Sequence, residues 1–172
     1  MAYFSFGEFE LQSCMFKKKQ PLSFQEVLSK LMRYCSYQER SPFEVKQKLR
    51  EYALSADKVE EIMDLLIEDN FINEERFASL FVRGKAKVKR WGLYKIREGL
   101  SKKGVSSEEV TKAIAIIDEA VYAENLDYLV ERKLELSPEF GEDVSKMYRY
   151  LQSKGYDGER ISRLLREKKL MN

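Results

Sequence analysis

Between Arg83 and Lys103 nine basic residues stand against the single acid Glu98. Seven of them, Arg83, Lys85, Lys87, Lys89, Arg90, Lys95 and Arg97, are interleaved with Trp91 and Tyr94. Cations alternating with aromatic rings suit a surface that tracks phosphates, and a dense cation block equally suits an acidic protein groove. On a helix each residue turns by about 100°, so the odd spacing from Arg83 to Lys89 wraps the charge around the axis. Composition leaves two readings open: these seven residues form a partner-binding surface, or they are a solvated face that pairs with acidic stretches of neighbouring segments. Trp91 reads as a packing anchor at a helix junction in preference to a base-stacking platform.

The charge elsewhere is also blocked. Residues 1–50 carry net +4, residues 51–82 −7, residues 83–103 +8, residues 104–143 −8 and residues 144–172 +5. The carboxylates of Glu60, Glu61, Asp64, Glu68 and Asp69 lie at helical spacing beside apolar stripes, which is the pattern of a solvated helix face. Tuned acid–base pairs need a dry pocket and a partner group, and nothing around these residues supplies one.

Most catalytic chemistry is excluded by residue type. The chain has no histidine and only two cysteines, Cys14 and Cys35, so Ser-His and Cys-His nucleophiles are impossible and transition-metal sites are poorly supported. No Gly-x-Gly-x-x-Gly, Walker-type Gly-Lys-Ser/Thr, Asp-rich calcium loop or nucleophile elbow occurs. No catalytic, cofactor-binding or metal residue is assigned, and no cofactor is expected. Apolar runs fall well short of the roughly 20 residues of a membrane span, and acidic residues interrupt the N-terminal stretch where a signal peptide would need apolar ones. A reduced, cytoplasmic monomer with no membrane contact is expected.

The elements that carry the basic block come from an internal repeat. Leu49, Leu100 and Leu151 are each 51 residues apart. At the same offset stand Val45, Ile96 and Met147, then Leu54, Val105 and Tyr156, then Val59, Val110 and Ile161. Further columns are Ile62, Ala113 and Leu164, and Met63, Ile114 and Leu165. Ser55, Ser106 and Asp157 form a column of helix N-caps, followed by acids at Asp57, Glu108 and Glu159 that suit the positive end of a helix dipole. Gly104 and Gly155 mark the left-handed stop of the preceding helix; the first copy has Ala53 there, and a different turn is expected.

Each unit reads as three helices. In the first, Phe24, Val27, Leu28, Leu31, Met32 and Cys35 form one stripe, and Ser41-Pro42 opens the next helix with a cap and an N1 proline. In the second unit a long helix runs from about Asn73 to Arg90 and breaks at Trp91-Gly92. In the third a helix starts near Asp118 with Ala123, Leu126, Leu129, Val130 and Leu134 as its stripe, and Ser137–Gly141 makes a loop. The expected fold is all-α: three tandem three-helix repeats in an elongated, curved array whose neighbours share core. The boundaries are 1–22, an N-terminal tail or short hairpin around Phe4, Phe6, Phe9 and Leu11; 23–70, repeat 1; 71–117, repeat 2; and 118–172, repeat 3.

Residues 71–105 carry a specific resemblance. Phe71-Ile72-Asn73-Glu74-Glu75-Arg76-Phe77-Ala78, Phe81-Val82-Arg83-Gly84-Lys85 and Trp91-Gly92-x-x-x-Ile96-x-x-x-Leu100-x-x-x-Gly104-Val105 are similar to the RecX family, regulators of the bacterial RecA recombinase. Arg40-Ser41-x-x-Glu44-Val45-x-x-x-Leu49 resembles that family's first unit, and Lys146-x-x-Arg149-x-Leu151-x-x-Lys154-Gly155-Tyr156 its third. The likeness spans roughly residues 24–169 and leaves residues 1–22 outside; Gly84 stands where a larger residue is expected. The resemblance implies tandem three-helix units lodged in the groove of the RecA–DNA filament, limiting its growth or promoting its disassembly. It favours the basic block as a contact surface and is compatible with RecA, or with single- or double-stranded DNA, as what that block faces. A direct nucleic-acid-binding helical module is the alternative from the residues themselves.

Overall fold

A computed structural model describes residues 22–171, and among them all regular structure is helical. The expected tail or hairpin of residues 1–22 falls almost wholly outside the described residues, as does Cys14. The first triplet comprises α1 (Phe24–Tyr37), α2 (Pro42–Leu49) and α3 (Ala56–Glu68), with a single 3-10 turn at Arg50–Tyr52. The second comprises α4 (Glu74–Lys87), α5 (Leu93–Ser101) and α6 (Ser107–Ala115). The third comprises α7 (Glu119–Leu136), the one-turn α8 (Glu139–Glu142), α9 (Val144–Ser153) and α10 (Gly158–Glu167). The protein is therefore a tandem series of three-helix units, and α8 is an extra turn inside the stretch expected to be a loop.

Side-chain chemistry sets the helix starts. Ser23 and Ser41 each close a capping box, in which the serine oxygen accepts from the N3 amide and the N3 glutamate accepts from the cap amide. Each such box satisfies two N–H groups that a helix cannot pair internally. Asn73, Ser106, Asp118, Asp143 and Asp157 cap α4, α6, α7, α9 and α10 in the same way from one side.

The repeat columns form the cores. Leu49, Leu100 and Leu151 are 1%, 0% and 0% exposed, and Val45, Ile96 and Met147 beside them are all fully buried. Burying a leucine contributes about 1.5–3 kcal/mol, and these columns recur at the centre of three separate clusters, one per unit. The expectation that neighbours share core holds only at one junction. Leu93 and Ile117 pack against both the second and the third cluster, whereas the first cluster is built from residues 22–72 alone. Each unit closes its own interior because its third helix folds back over the first two, leaving charged and backbone groups to make most of the joints.

The joints repeat as well. The N-terminal amides of α5 dock on the turn that ends α9: Gly92 N–H donates to the Lys154 carbonyl at 2.8 Å and Tyr94 N–H to that of Gly155 at 3.1 Å. One repeat earlier, Phe43 N–H near the start of α2 approaches the Lys103 carbonyl after α5 at 3.4 Å. A Cβ on Gly92 would stand inside the Gly155 carbonyl, and one on Gly155 inside Lys95. Glycine at both is what allows the close approach.

Three local expectations are corrected. First, α4 stops at Lys87, and Lys89 and Arg90 lie off the helix: Arg90 takes a left-handed φ of 50°, and Trp91 N–H reaches back to the Lys85 carbonyl at 3.1 Å. That bond pattern terminates a helix as a glycine would. Second, Ala123 is exposed, and the α7 stripe instead includes buried Tyr122 and Asn125, because α7 is rotated to face α4 and α10. Third, Ala53 keeps the left-handed turn of its glycine counterparts, at φ 49°.

Two stability predictions follow from this packing. Leu100→Ala should cost about 2–5 kcal/mol, read as a lowered midpoint in denaturant unfolding; an unchanged midpoint would contradict its central place. Ala53→Gly should stabilise by about 0.5–1 kcal/mol, because a Cβ is strained at positive φ; a drop in melting temperature would show that the turn tolerates alanine without strain.

Candidate partner-binding surface

The seven candidate residues occupy three elements. Arg83, Lys85 and Lys87 lie on α4, Lys89 and Arg90 in the following turn, and Lys95 and Arg97 on α5. Among the described residues none of the seven forms an ion pair. Nearby carboxylates find other partners: Glu39 pairs with Arg76, Glu44 with Lys103 and Glu119 with Arg160. Of the block's nine basic residues, Lys102 and Lys103 are paired, with Glu98 and Glu44, while among the described residues the seven candidates have no direct ion pair.

The block is not one patch. Arg83 and Lys87, four residues apart on α4, line a groove of about 360 Å³ with Ile116, Ile117, Asp118 and Val121 at the junction with the third unit. Lys85 and Lys89 line a different groove of about 470 Å³ with Leu80, Phe81, Gly84 and Val88, closed on one side by Gln38 and Glu39 of the first unit. Helical spacing of four puts Arg83 and Lys87 on one face of α4, while Lys89 reaches the groove of Lys85 from the turn that follows the helix.

Three of the seven also have internal roles. The Lys85 ammonium sits 5.1 Å from the Phe81 ring centre and 4.9 Å from that of Trp91, and the Lys95 ammonium is 5.2 Å from the Trp91 ring centre. Lys95 Nζ also donates to the Ser153 carbonyl at 2.7 Å. The Arg90 guanidinium lies 3.7 Å above the Tyr128 ring. Such cation–ring contacts contribute about 0.5–1 kcal/mol where water still has access. Trp91 packs edge-on against Phe81 at 6.4 Å and joins the second core, in keeping with an anchor. Arg83, Lys87, Lys89 and Arg97 remain exposed with no such engagement.

The third unit holds this segment in place through residues that sequence reasoning passed over. Asn125 Nδ2 donates to the Ala86 carbonyl at 3.2 Å, and the Tyr156 hydroxyl donates to the Arg90 carbonyl at 3.2 Å. Tyr122 accepts from Leu93 N–H at 3.3 Å, and its ring lies 4.8 Å from that of Tyr156. Burial pushes both phenols above their ordinary range, so both stay protonated and neutral in this role. The readable signals were a polar Asn125 inside an apolar stripe and a tyrosine in a column otherwise aliphatic.

On the other side, Arg76 fastens the start of α4 to the first unit. Its Nε donates to Glu39 Oε1 at 2.8 Å and its Nη2 to Oε2 at 3.3 Å, while Nη1 and Nη2 also reach the side chain and carbonyl of Asn70. At the same joint, burial alone would raise the Glu44 carboxyl, but the Lys103 ammonium and the Ser41 N–H outweigh it and hold it below the usual range. Among the described residues no three His, Cys, Asp or Glu side chains are grouped to hold a metal ion, and no helix is long and apolar enough to cross a membrane.

Comparison with known proteins agrees with this architecture. Residues 73–114 match the model of the second three-helix domain of RecX, and residues 120–165 that of the third. The chain is 28% identical over 142 residues to the regulatory protein RecX of Prosthecochloris aestuarii, covering 83% of this chain and 93% of that one. It is 31% identical over 128 residues to the RecX of Clostridium botulinum strain Eklund 17B, covering 72% of this chain but only 59% of that relative. The crystal structure of RecX from Lactobacillus salivarius superposes with a TM-score of 0.74 at 25% identity, over 86% of this chain and 97% of that one. A second RecX crystal structure shares the fold at a TM-score of 0.76 and 22% identity, over 84% of this chain and 71% of that one. With two consecutive domain models matched in order on a fold shared with solved members, the chain belongs to the RecX family.

Proposed function

We propose that this protein regulates the RecA recombinase by binding the RecA–DNA filament and limiting its growth or activity, with no catalytic step of its own. The observation that carries the reading is a set of exposed cations that form no ion pair among the described residues, on a chain of the RecX family. Arg83 and Lys87 stand one turn apart on α4, and an acidic or phosphate-bearing partner relieves that like-charge repulsion. The relatives are regulatory proteins by name, which supports binding rather than turnover as the activity.

The units 23–70, 71–117 and 118–172 act as one body long enough to touch neighbouring filament protomers. The protein works as a monomer in the cytoplasm. The second reading, a module that binds nucleic acid directly, is favoured by one observation: Tyr94 is 65% exposed on α5 near Arg97, an aromatic face beside a free cation.

Two measurements decide. DNA-dependent ATP hydrolysis by RecA should fall on adding the protein, and the protein alone should hydrolyse none; intrinsic ATPase activity in a pure preparation would refute the non-catalytic part. Combining Lys87→Glu, Lys89→Glu and Arg97→Glu, which spares the cations packed on Trp91 and Tyr128, should weaken inhibition and flatten its salt dependence. Helical circular dichroism should be unchanged, since exposed charges of this kind contribute little to stability. Equal inhibition by the folded variant at every salt concentration would reduce the block to a solvated face. Binding to bare single-stranded DNA as tight as to the RecA-coated strand would favour the second reading.

A further inference from the structure

Gly84 is out of place by the rules of helix formation. It sits in the interior of α4, at an exposed position, with φ in the ordinary helical range. Glycine is, after proline, the least favourable residue for a helix interior. By contrast Gly92 and Gly155 are required by a close approach, and Gly104 and Gly155 take a left-handed turn. At Gly84 neither applies: a Cβ would meet no atom within 4 Å. Packing therefore does not account for it.

What it does is keep open the floor of the groove between the first and second units. That groove, about 470 Å³, is lined by Phe77, Leu80, Phe81 and Val88, with Lys85 and Lys89 on its rim. Leu80 is 54% exposed and Val88 68% exposed, a high cost for two aliphatic side chains that could have been polar. The carboxylate on the opposite wall, Glu39, is committed to the Arg76 guanidinium at 2.8 Å, so it does not neutralise the lysines. The groove thus combines an apolar floor, open space above Gly84 and a positive rim without an ion pair among the described residues.

We propose that this groove seats an apolar side chain carried on an acidic segment of the protein partner, and that Gly84 leaves the room for it. The proposal rests on the regulatory reading above and specifies the partner's chemistry at the same basic segment. A nucleic acid fits less well. Bases stack on aromatic faces, while the exposed apolar surface here is aliphatic, and Phe81 and Trp91 are already engaged by each other and by Lys85. An apolar anchor flanked by carboxylates satisfies floor and rim together, the pattern of an amphipathic segment in a groove.

The test uses the full chain and three variants: Gly84→Ala, Gly84→Gln and Lys89→Glu. Binding is measured to RecA-coated single-stranded DNA and to the same bare oligonucleotide, across a salt series, with melting temperature recorded for each protein. Both Gly84 variants should melt about 2–4 °C above the parent, from helix propensity. Gly84→Gln fills the floor with a polar group and should weaken filament binding by about tenfold or more, while leaving bare-DNA binding unchanged. Lys89→Glu should weaken filament binding at low salt and show a smaller salt effect. A more stable protein that binds worse separates an occupied groove from a structural role. If the parent binds the filament and Gly84→Gln binds equally well, the groove proposal fails while the regulatory reading stands. If Lys89→Glu keeps parental affinity, the acidic character of the occupant is wrong. If Gly84→Gln loses bare-DNA binding in equal measure, the occupant is nucleic acid and the proposal is overturned. If the parent ignores the RecA-coated strand, both readings fall.

Discussion

The architecture depends on how a helix N-terminus is satisfied. The first amides of an α-helix have no partner within it, and together they form the positive end of a dipole. In α2 a serine and a glutamate fill that role locally. In α5 the cap residue is Gly92, which offers no side chain, and the amides are answered instead by the carbonyl end of α9 in the next unit. One helix's unmet donors meet another helix's unmet acceptors, dipole to dipole. The glycines at 92 and 155 are the condition for that contact, since a Cβ on either would collide. The placement of the basic segment follows, because Lys89, Arg90 and Trp91 lie directly before the docked helix.

Much of this was legible in the sequence where burial has a period. The 51-residue columns and the caps at Ser41, Ser106 and Asp157 could be read because a wholly buried leucine or a capping oxygen imposes a residue type at one position. The end of α4 could not. Lys85 to Lys89 are good helix formers, and local propensity carries the helix on to Trp91. The stop is stabilised by Tyr156, 66 residues downstream, and by Asn125, 39 residues downstream. A contact of that range leaves no local signature. The expected α7 stripe failed for a related reason: tyrosine and asparagine are not apolar by type, yet Tyr122 and Asn125 are buried because their polar ends find backbone partners across a joint.

The candidate site was half legible. Its residue types and its excess of charge were plain, but their division was not. Spacing of four on α4 already pairs Arg83 with Lys87; only the structure shows that Lys85 and Lys89, the latter in the turn beyond the helix, open onto a different groove. Likewise, the engagement of Lys85 and Lys95 with Trp91 follows from where the turn puts the indole, which no periodicity encodes.

The two joints differ in strength, and the difference bears on how the array can act. Between the second and third units there are backbone amides on carbonyls, two buried tyrosines and apolar side chains common to both cores. Between the first and second there are the ion pairs Arg76–Glu39 and Lys103–Glu44 with one long backbone bond of 3.4 Å. Partly exposed ion pairs are worth on the order of 1 kcal/mol or less and weaken with salt. The wall of the larger groove that bears Gln38 and Glu39 belongs to the first unit, and the floor that bears Gly84 to the second. The floor is therefore fixed by the strong joint and the wall by the weak one. On the proposed reading of the groove, the cations of α4 that would recognise a partner's charge are therefore carried by the better-fixed of its two sides.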